Sequence, residues 1–219
     1  MRIHLFIYFP TFALNLSNMY TLFSGLYKYV TQKDEYFLLI LGLDNSGKTT
    51  YLEQVKTKFC KNYKMMNPNK ITSTVGCNIG GVDIGRARLN FWDLGGQEEL
   101  QSLWDKYYAE SHAIIYMIDS TDRQRLQESW LAFDKMIQNE QLEGLPLLVA
   151  CNKQDLDDCM PVPDIKKQFN KSSAHIGVRN CMVTATSALT GEGVHEGINW
   201  IRECIEANSA NKPPVESRI

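Results

Sequence analysis

A chain of 219 residues, 44% hydrophobic and 22% charged, has the composition of a globular domain with a well-filled core; disordered and fibrous proteins are excluded and no second domain is called for. The formal net charge of −2 gives no long-range attraction to phosphate backbones, so a nucleic-acid partner is not expected. Six cysteines with no C-x-x-C pair and four scattered histidines describe a reduced chain without a thiolate or imidazole metal site.

In chain order, Met1-Arg2-Ile3-His4 and the apolar run ending at Leu14 look like a secretory leader. Pro10 breaks the run, no A-x-A-like cleavage site follows, and its length falls short of the ~20 residues that span a bilayer. Residues 1–18 are therefore read as an unstructured extension before a functional start at Met19; modification of the acceptor pattern Asn15-Leu16-Ser17 would mark the contrary, secreted reading. Residues 19–33 follow as a helix and linker. Over 20–30, Leu22, Phe23, Leu26, Tyr27 and Val30 recur at helical spacing, the stripe of an amphipathic helix that packs on the domain or on a membrane.

The domain itself spans 34–207. Continuous apolar runs at 36–43, 113–118 and 146–150 read as strands covered on both faces. A helix over 123–139 presents Leu126, Trp130, Phe133 and Ile137 on one face behind a Thr121-x-x-Gln124 capping box, and Val194, Ile198, Ile201 and Ile205 form a second stripe. Strands alternating with helices predict an α/β fold: a mostly parallel sheet with right-handed crossovers and helices on both faces. Residues 79–93 leave no room for a helix around Asp83-Ile84-Gly85, which predicts a hairpin and one antiparallel edge strand. From Asn208, with Pro213-Pro214, the tail 208–219 is expected to fray.

Gly42-Leu43-Asp44-Asn45-Ser46-Gly47-Lys48-Thr49 matches G-x-x-x-x-G-K-[ST] between a predicted strand and a predicted helix. The loop and first helical turn, Asp44, Asn45, Ser46, Gly47, Lys48, Thr49 and Thr50, should wrap phosphates in backbone N–H groups, with Lys48 reaching the β- and γ-phosphates and Thr49 a ligand of Mg²⁺. The base is chosen by Asn152-Lys153-Gln154-Asp155, directly after a strand at the carboxyl end of the sheet. A carboxylate at Asp155 accepts from guanine N1–H and the 2-amino group, a donor pair that adenine lacks. Asp93-Leu94-Gly95-Gly96-Gln97 closes the second hairpin strand: Asp93 belongs beside the magnesium shell, Gly96 turns its N–H to a γ-phosphate, and Gln97 orients the attacking water. In Ile71-Thr72-Ser73-Thr74-Val75-Gly76, a hydroxyl completes the metal sphere; Thr74 is preferred, although spacing alone does not separate it from Thr72.

The chemistry is then GTP hydrolysis to GDP by positioning and charge neutralisation. Lys48 and Mg²⁺ neutralise, and Gln97 aligns water. No arginine finger in cis is evident and Asp44 puts an acid in the phosphate loop, so unaided turnover is expected to be slow and an activating protein to raise it ~10³–10⁵-fold. The alternative is a GTP-binding scaffold without significant hydrolysis, against which Gln97 weighs.

Taken together these motifs resemble the ADP-ribosylation factor (Arf) family of small GTPases, from Met19 to about Ala207. The carriers are Gly42-Leu43-Asp44, Trp92-Asp93-Leu94-Gly95-Gly96-Gln97, Leu103-Trp104 with Tyr107, Asn152-Lys153-Gln154-Asp155 and Ser187-Ala188-Leu189. The resemblance implies a Ras-like P-loop NTPase fold with a six-stranded sheet, Thr74 rather than Thr72 on the metal, and the Ser187-Ala188 backbone reading the guanine oxygen. It implies a hairpin over 77–93 that slides with GTP and expels the helix at 20–30 onto a membrane. It also implies an exchange factor, an activating protein, effectors at the switch regions, and residence between the cytosol and the cytoplasmic face of the Golgi and trans-Golgi network, in vesicle and protein transport.

Three departures stand out. Arg2 follows Met1 and Tyr20 follows Met19, so neither start carries the family's myristoylated glycine, and Glu216-Ser217-Arg218-Ile219 is no prenylation box. A lone amphipathic helix binds membranes weakly, so a membrane receptor or another N-terminal modification should assist; divergent family members are linked to an acetylated N-terminus and an integral Golgi receptor. Cys77 replaces the family's effector-facing phenylalanine while Trp92 and Tyr107 remain, so effector choice should differ.

Overall fold

The computed structural model of the protein describes residues 21, 23 and 32–216. The extension 1–18, the rest of the stripe at 20–30 and residues 217–219 lie outside the described residues. Thr21 and Phe23 are helical, and with Gln32 and Lys33 they fall in a separate N-terminal unit; the second unit begins at Asp34. Among the described residues no helix is long and apolar enough to cross a membrane.

From Asp34 onward strand and helix alternate: β1 (Asp34–Leu41), α1 (Lys48–Phe59), the hairpin β2 (Cys77–Ile84) and β3 (Ala87–Leu94), the single turns α2 (Glu98–Gln101) and α3 (Asp105–Tyr108), β4 (Ala113–Asp119), α4 (Leu126–Ile137), β5 (Leu147–Asn152), α5 (Val162–Phe169), α6 (Ser173–Ile176), β6 (Cys181–Ala185) and α7 (Val194–Ala207). The sheet runs β2-β3-β1-β4-β5-β6, parallel except where β2 lies antiparallel to β3 at the edge. The expected α/β sheet with one antiparallel edge strand is therefore observed.

The period-2 geometry of a strand explains why β1, β4 and β5 read as unbroken apolar runs. Leu38 and Ile40 of β1, Ile115 and Met117 of β4, and Leu148 and Ala150 of β5 point to one face, where α1 and α7 supply Leu52, Val55, Ile198 and Ile201. Leu39 and Leu41, Ile114, Tyr116 and Ile118, and Val149 and Cys151 point to the other, against Phe133 and Ile137 of α4 and Ile165 of α5. Each fully buried Leu or Ile in these layers contributes about 1.5–3 kcal/mol relative to exposure. Two cores pack on the two faces of one sheet, and its carboxyl edge carries the loops of interest.

The structure corrects the sequence reading at three places. The helix expected over 123–139 begins at Leu126, and Thr121-x-x-Gln124 forms no capping box: Asp119 Oδ1 accepts from the Thr121 N–H and hydroxyl, and Asp122 Oδ1 accepts from the Arg125 N–H. Carboxylates are stronger acceptors than the glutamine amide, so they win the exposed donors. The hairpin turns one residue later than expected, through Gly85 and Arg86, with Gly85 at φ 60°.

The third correction concerns the tail. Beyond α7 the chain returns to the sheet, where β7 (Val215–Glu216) pairs antiparallel with Glu35 and Asp34 as a short seventh strand. The cause lies in the stagger of the central strands: β4 pairs with β1 only over residues 38–41, so the start of β1 has unpaired backbone groups to offer. His112 bridges the step. Its N–H donates to Phe37 O at 2.7 Å, its Nδ1 accepts from the Phe37 N–H at 3.1 Å, and Nε2–H donates to Pro213 O at 3.0 Å. A ring that accepts at Nδ1 and donates at Nε2 is neutral, and burial, reinforced by Lys212, pushes its pKa below the ordinary 6.5.

The unfolded chain thus binds a proton at His112 that the folded chain refuses, and stability falls as the pH drops below 6.5. Between about pH 7.5 and 5.5 the Tm of the wild type should fall more than that of His112→Gln. Parallel Tm curves would show that His112 does not titrate across unfolding.

Candidate functional site

The loop from β1 to α1 takes the shape that its glycines allow. Gly42 sits at φ 136°, where a Cβ would lie 2.2 Å from Met117 O. Asn45 at φ 60° and Gly47 at φ 91° are left-handed, so successive N–H groups turn inward as an anion-binding concavity. No side chain caps α1 and its first turn carries no acid, which leaves the opening N–H groups available to an anion at the positive end of the helix. Lys48 is buried, and its Nζ donates to Gly42 O at 3.0 Å and Leu43 O at 2.7 Å. Burial pulls its pKa down to about 8, Asp93 and Asp44 opposing and Arg125 reinforcing that fall. The buried Ser46 hydroxyl donates to Leu43 O at 2.8 Å and closes the turn.

A cavity of about 350 Å³ opens over this loop. It is lined by Asp44, Asn45, Gly47, Lys48, Thr49 and Thr50 on one side, by Pro68, Ile71, Thr72, Ser73 and Thr74 on another, and by Gly96, Gln97 and Lys153. The segment leading into 68–74 is tied down by Glu53 of α1, whose Oε2 accepts from the Tyr63 hydroxyl at 2.7 Å and the Met66 N–H at 3.1 Å.

Three oxygen-bearing side chains from different elements converge at one point. The Thr49 hydroxyl donates to Asp93 Oδ2 at 2.7 Å, the Thr74 hydroxyl lies 2.9 Å from that of Thr49, and Asn78 Nδ2 also reaches Asp93 Oδ2 at 3.4 Å. Asp93 Oδ1 is buried without a hydrogen-bond partner, and burial holds the Asp93 pKa above the usual carboxylate range against the pull of Thr49 and Lys48. A buried carboxylate with an idle oxygen beside two hydroxyls fits a hard, oxygen-seeking cation such as Mg²⁺. Thr72 and Thr74 both line the cavity; Thr72 is exposed, whereas the Thr74 hydroxyl lies against that of Thr49. No cluster of three or more His, Cys, Asp or Glu suited to a metal occurs among the described residues; Mg²⁺ beside few protein donors completes its shell with water or ligand oxygens.

Gly96 packs directly on the phosphate loop: a Cβ would lie 2.3 Å from Gly42 O and 2.5 Å from Asp44 N. Gln97, next in sequence, is exposed at the cavity, with only its carbonyl engaged by the Leu100 and Gln101 N–H groups at the start of α2. On the base side, Asn152 is buried; its Nδ2 donates to Ser46 O at 2.8 Å and its Oδ1 accepts from the Ala188 N–H at 2.8 Å. Asn152 therefore staples the phosphate loop to the 187–188 loop, and the Ala188 N–H is already given to it. Ser187 is buried with its hydroxyl accepting from the Thr190 N–H. Lys153, at φ 66°, pairs with Asp119 Oδ2 at 2.5 Å, and Asp155 is exposed in the same loop.

The family model described as "ADP-ribosylation factor family" matches residues 22–205. The chain belongs to the ADP-ribosylation factor family. It is 63% identical over 201 residues, 92% of its length and all of the relative's, to ADP-ribosylation factor-related protein 1 of Bos taurus, and equally to that of Homo sapiens. Identity to ADP-ribosylation factor-like protein 3 of Saccharomyces cerevisiae is 44% over 198 residues, 90% of this chain and 99% of that one. Among solved structures it resembles the Arl6 BBS3 small GTPase of Trypanosoma brucei with bound nucleotide analogue GppNp, with a TM-score of 0.68 and 29% identity over 79% of this chain and 98% of that one.

As an Arf-family small GTPase the protein binds GTP and GDP and hydrolyses one to the other, working as a nucleotide-dependent switch with the exchange factors, activating proteins and effectors of its family. An aromatic cluster lies beside the hairpin: Trp92 stacks on Phe37 at 4.7 Å and tilts against Tyr107 at 5.2 Å, with Cys77 packed against the same core. Sequence reading did not find Asn78, Asp119, Glu53 or Arg125 as parts of the site. Asp119, at the carboxyl end of β4, could have been found by the rule that ligands gather at strand ends; the others meet their partners through tertiary contacts alone.

Proposed function

We propose that the protein is a GTP-driven membrane switch on the cytoplasmic face of the Golgi and trans-Golgi network, cycling from the cytosol and recruiting effectors for vesicle and protein transport while loaded with GTP. The observation that carries the switch is the meeting of Thr49, Thr74 and Asp93. A loop hydroxyl 25 residues from the P-loop threonine lies 2.9 Å from it, so the 71–74 loop reaches the place where a cation and terminal phosphate would hold it.

In this reading the phosphate loop and Lys48 grip the β- and γ-phosphates, Thr49 and Thr74 hold Mg²⁺ with Asp93 behind them, and Gly96 offers its N–H to the γ-phosphate. Asn45, Ser46, Gly47 and Thr50 complete the cradle. Magnesium supplies charge neutralisation on the phosphate oxygens. Gln97 orients the attacking water, Asp155 takes the guanine donor pair, and Lys153 flanks the base. Asn152 acts from beneath by fixing the loops. The guanine oxygen reaches Ser187-Ala188 only if the Ala188 N–H is shared with Asn152.

Exposed Val75, just before the hairpin, and exposed Ile79, paired with Trp92 across it, lie beside Cys77, with Tyr107 of α3 against Trp92; this is an apolar strip suited to an effector. The apolar stripe over 20–30, expected from the sequence to be an amphipathic helix, supplies membrane contact, and a membrane receptor supplies the affinity that a lone helix lacks. Flotation tests the cycle: protein loaded with a non-hydrolysable GTP analogue should rise with Golgi membranes and GDP-loaded protein stay below. Equal flotation in both states would rule the switch out.

A further inference from the structure

A phosphate loop works by surrounding negative charge with N–H groups and a lysine, so an acidic side chain inside it opposes the design. Asp44 is such a side chain, and it borders the cavity together with Gly96 and Gln97. The structure shows where its charge goes. Asp44 Oδ1 accepts from Arg125 Nη2 at 2.6 Å. The guanidinium is also held by Glu128, whose Oε2 accepts from Nε at 3.0 Å and whose Oε1 accepts from the same Nη2 at 3.1 Å. The Arg125 N–H donates to Asp122 Oδ1 at 3.0 Å, which pins the residue at the start of α4. Asp44 and Arg125 also line a separate small cavity between the loop and α4, and Arg125 is absent from the lining of the larger one.

We propose that Arg125 is a positioning residue that draws the Asp44 carboxylate to the α4 side of the loop and cancels its charge, and so sets the preference of the site for a triphosphate over a diphosphate. The inference rests on reading the cavity as a guanine nucleotide site. Gly96 packs against the backbone of Asp44, which puts Asp44 where the Gly96-Gln97 segment meets the loop, at the end given to the γ-phosphate. The diphosphate carries no charge at that end, so an unneutralised Asp44 penalises GTP far more than GDP. A guanidinium shared by two carboxylates is not free to act as an arginine finger, which leaves that role to an activating partner. Arg125 and Asp44 are part-exposed, at 33% and 26%, so salt screens the pair and the effect is one of degree.

The test measures dissociation constants for GDP and for a non-hydrolysable GTP analogue, both with Mg²⁺, on the full chain as wild type, Arg125→Gln, Asp44→Asn and the double variant. Arg125→Gln should weaken the analogue roughly tenfold more than GDP, and should leave the ratio of the two constants unchanged once Asp44→Asn is present. Equal weakening of both nucleotides, or the same change of ratio without the Asp44 carboxylate, overturns the inference. So does a loss of hydrolysis in Arg125→Gln with an untouched ratio, which would make the arginine a finger in cis. Should Arg125→Gln not fold, Asp44→Asn alone decides: a neutralised carboxylate leaves the ratio within about twofold, whereas a gain near tenfold or more exposes an unneutralised Asp44 and overturns the inference. Wild type binding neither nucleotide overturns the underlying nucleotide reading, and this inference with it.

Discussion

Gln97→Leu should bind GTP within about twofold of wild type, because an exposed side chain is changed. It should nonetheless lose the ~10³–10⁵-fold stimulation of hydrolysis that an activating protein gives. The structural reason is the division of labour at Gln97. Its carbonyl starts α2 by accepting from the Leu100 and Gln101 N–H groups, while its side chain stands exposed at the cavity. Leucine keeps the first role and removes the amide proposed to orient water. Single-turnover hydrolysis with and without the activating protein checks this; equal stimulation of both proteins would show that another group positions the water.

Lys48→Ala should cost about 10²–10³-fold in affinity for either nucleotide, the range for removing one partner of a buried, hydrogen-bonded charge pair. The ammonium is buried to 6% exposure on the Gly42 and Leu43 carbonyls, and its pKa of about 8 records how poorly that pocket solvates it. In the proposed reading, phosphate charge supplies further favourable interaction beside Asp93 and Asp44. Without nucleotide the variant therefore loses little stability, since a desolvated cation leaves together with its two hydrogen bonds. Thermal unfolding separates the two effects: wild type should gain Tm with added GTP and Mg²⁺, and Lys48→Ala should gain almost none at the same concentrations. A normal ligand-induced gain in the variant would place the phosphates elsewhere.

What could be read from sequence here was local and covalently spaced. The phosphate loop and Asn152-Lys153-Gln154-Asp155 each sit within eight residues or fewer, after apolar runs whose strand character follows from burial on both faces. The hairpin was legible because nothing helical fits between its strands. The features that escaped depend on competition or on distance. The Thr121 capping box lost to Asp119 and Asp122, whose carboxylates could not be placed before the turn was known. β7 is two residues, too short to carry a side-chain pattern, and its partner is offered by the stagger of β4. β6, with Cys181 and Ala185 exposed at the sheet edge, has too little periodicity to announce itself. Arg125 and Asp44 lie 81 residues apart, and only the crossover through β4 brings them together.

The sharpest question is whether the loop holding Asp155 selects its purine. Asn152 ties this loop to Ser46 and Ala188, and in the proposed reading this frame presents the carboxylate to the N1–H and 2-amino donors. Isothermal titration of the nucleotide-free wild type with GTP and with ATP, both with Mg²⁺, decides the matter. GTP should bind at least about 10³-fold more tightly, since a site built to pair polar groups rejects a ligand that leaves them unpaired. Equal affinities for the two triphosphates would contradict the reading of this site.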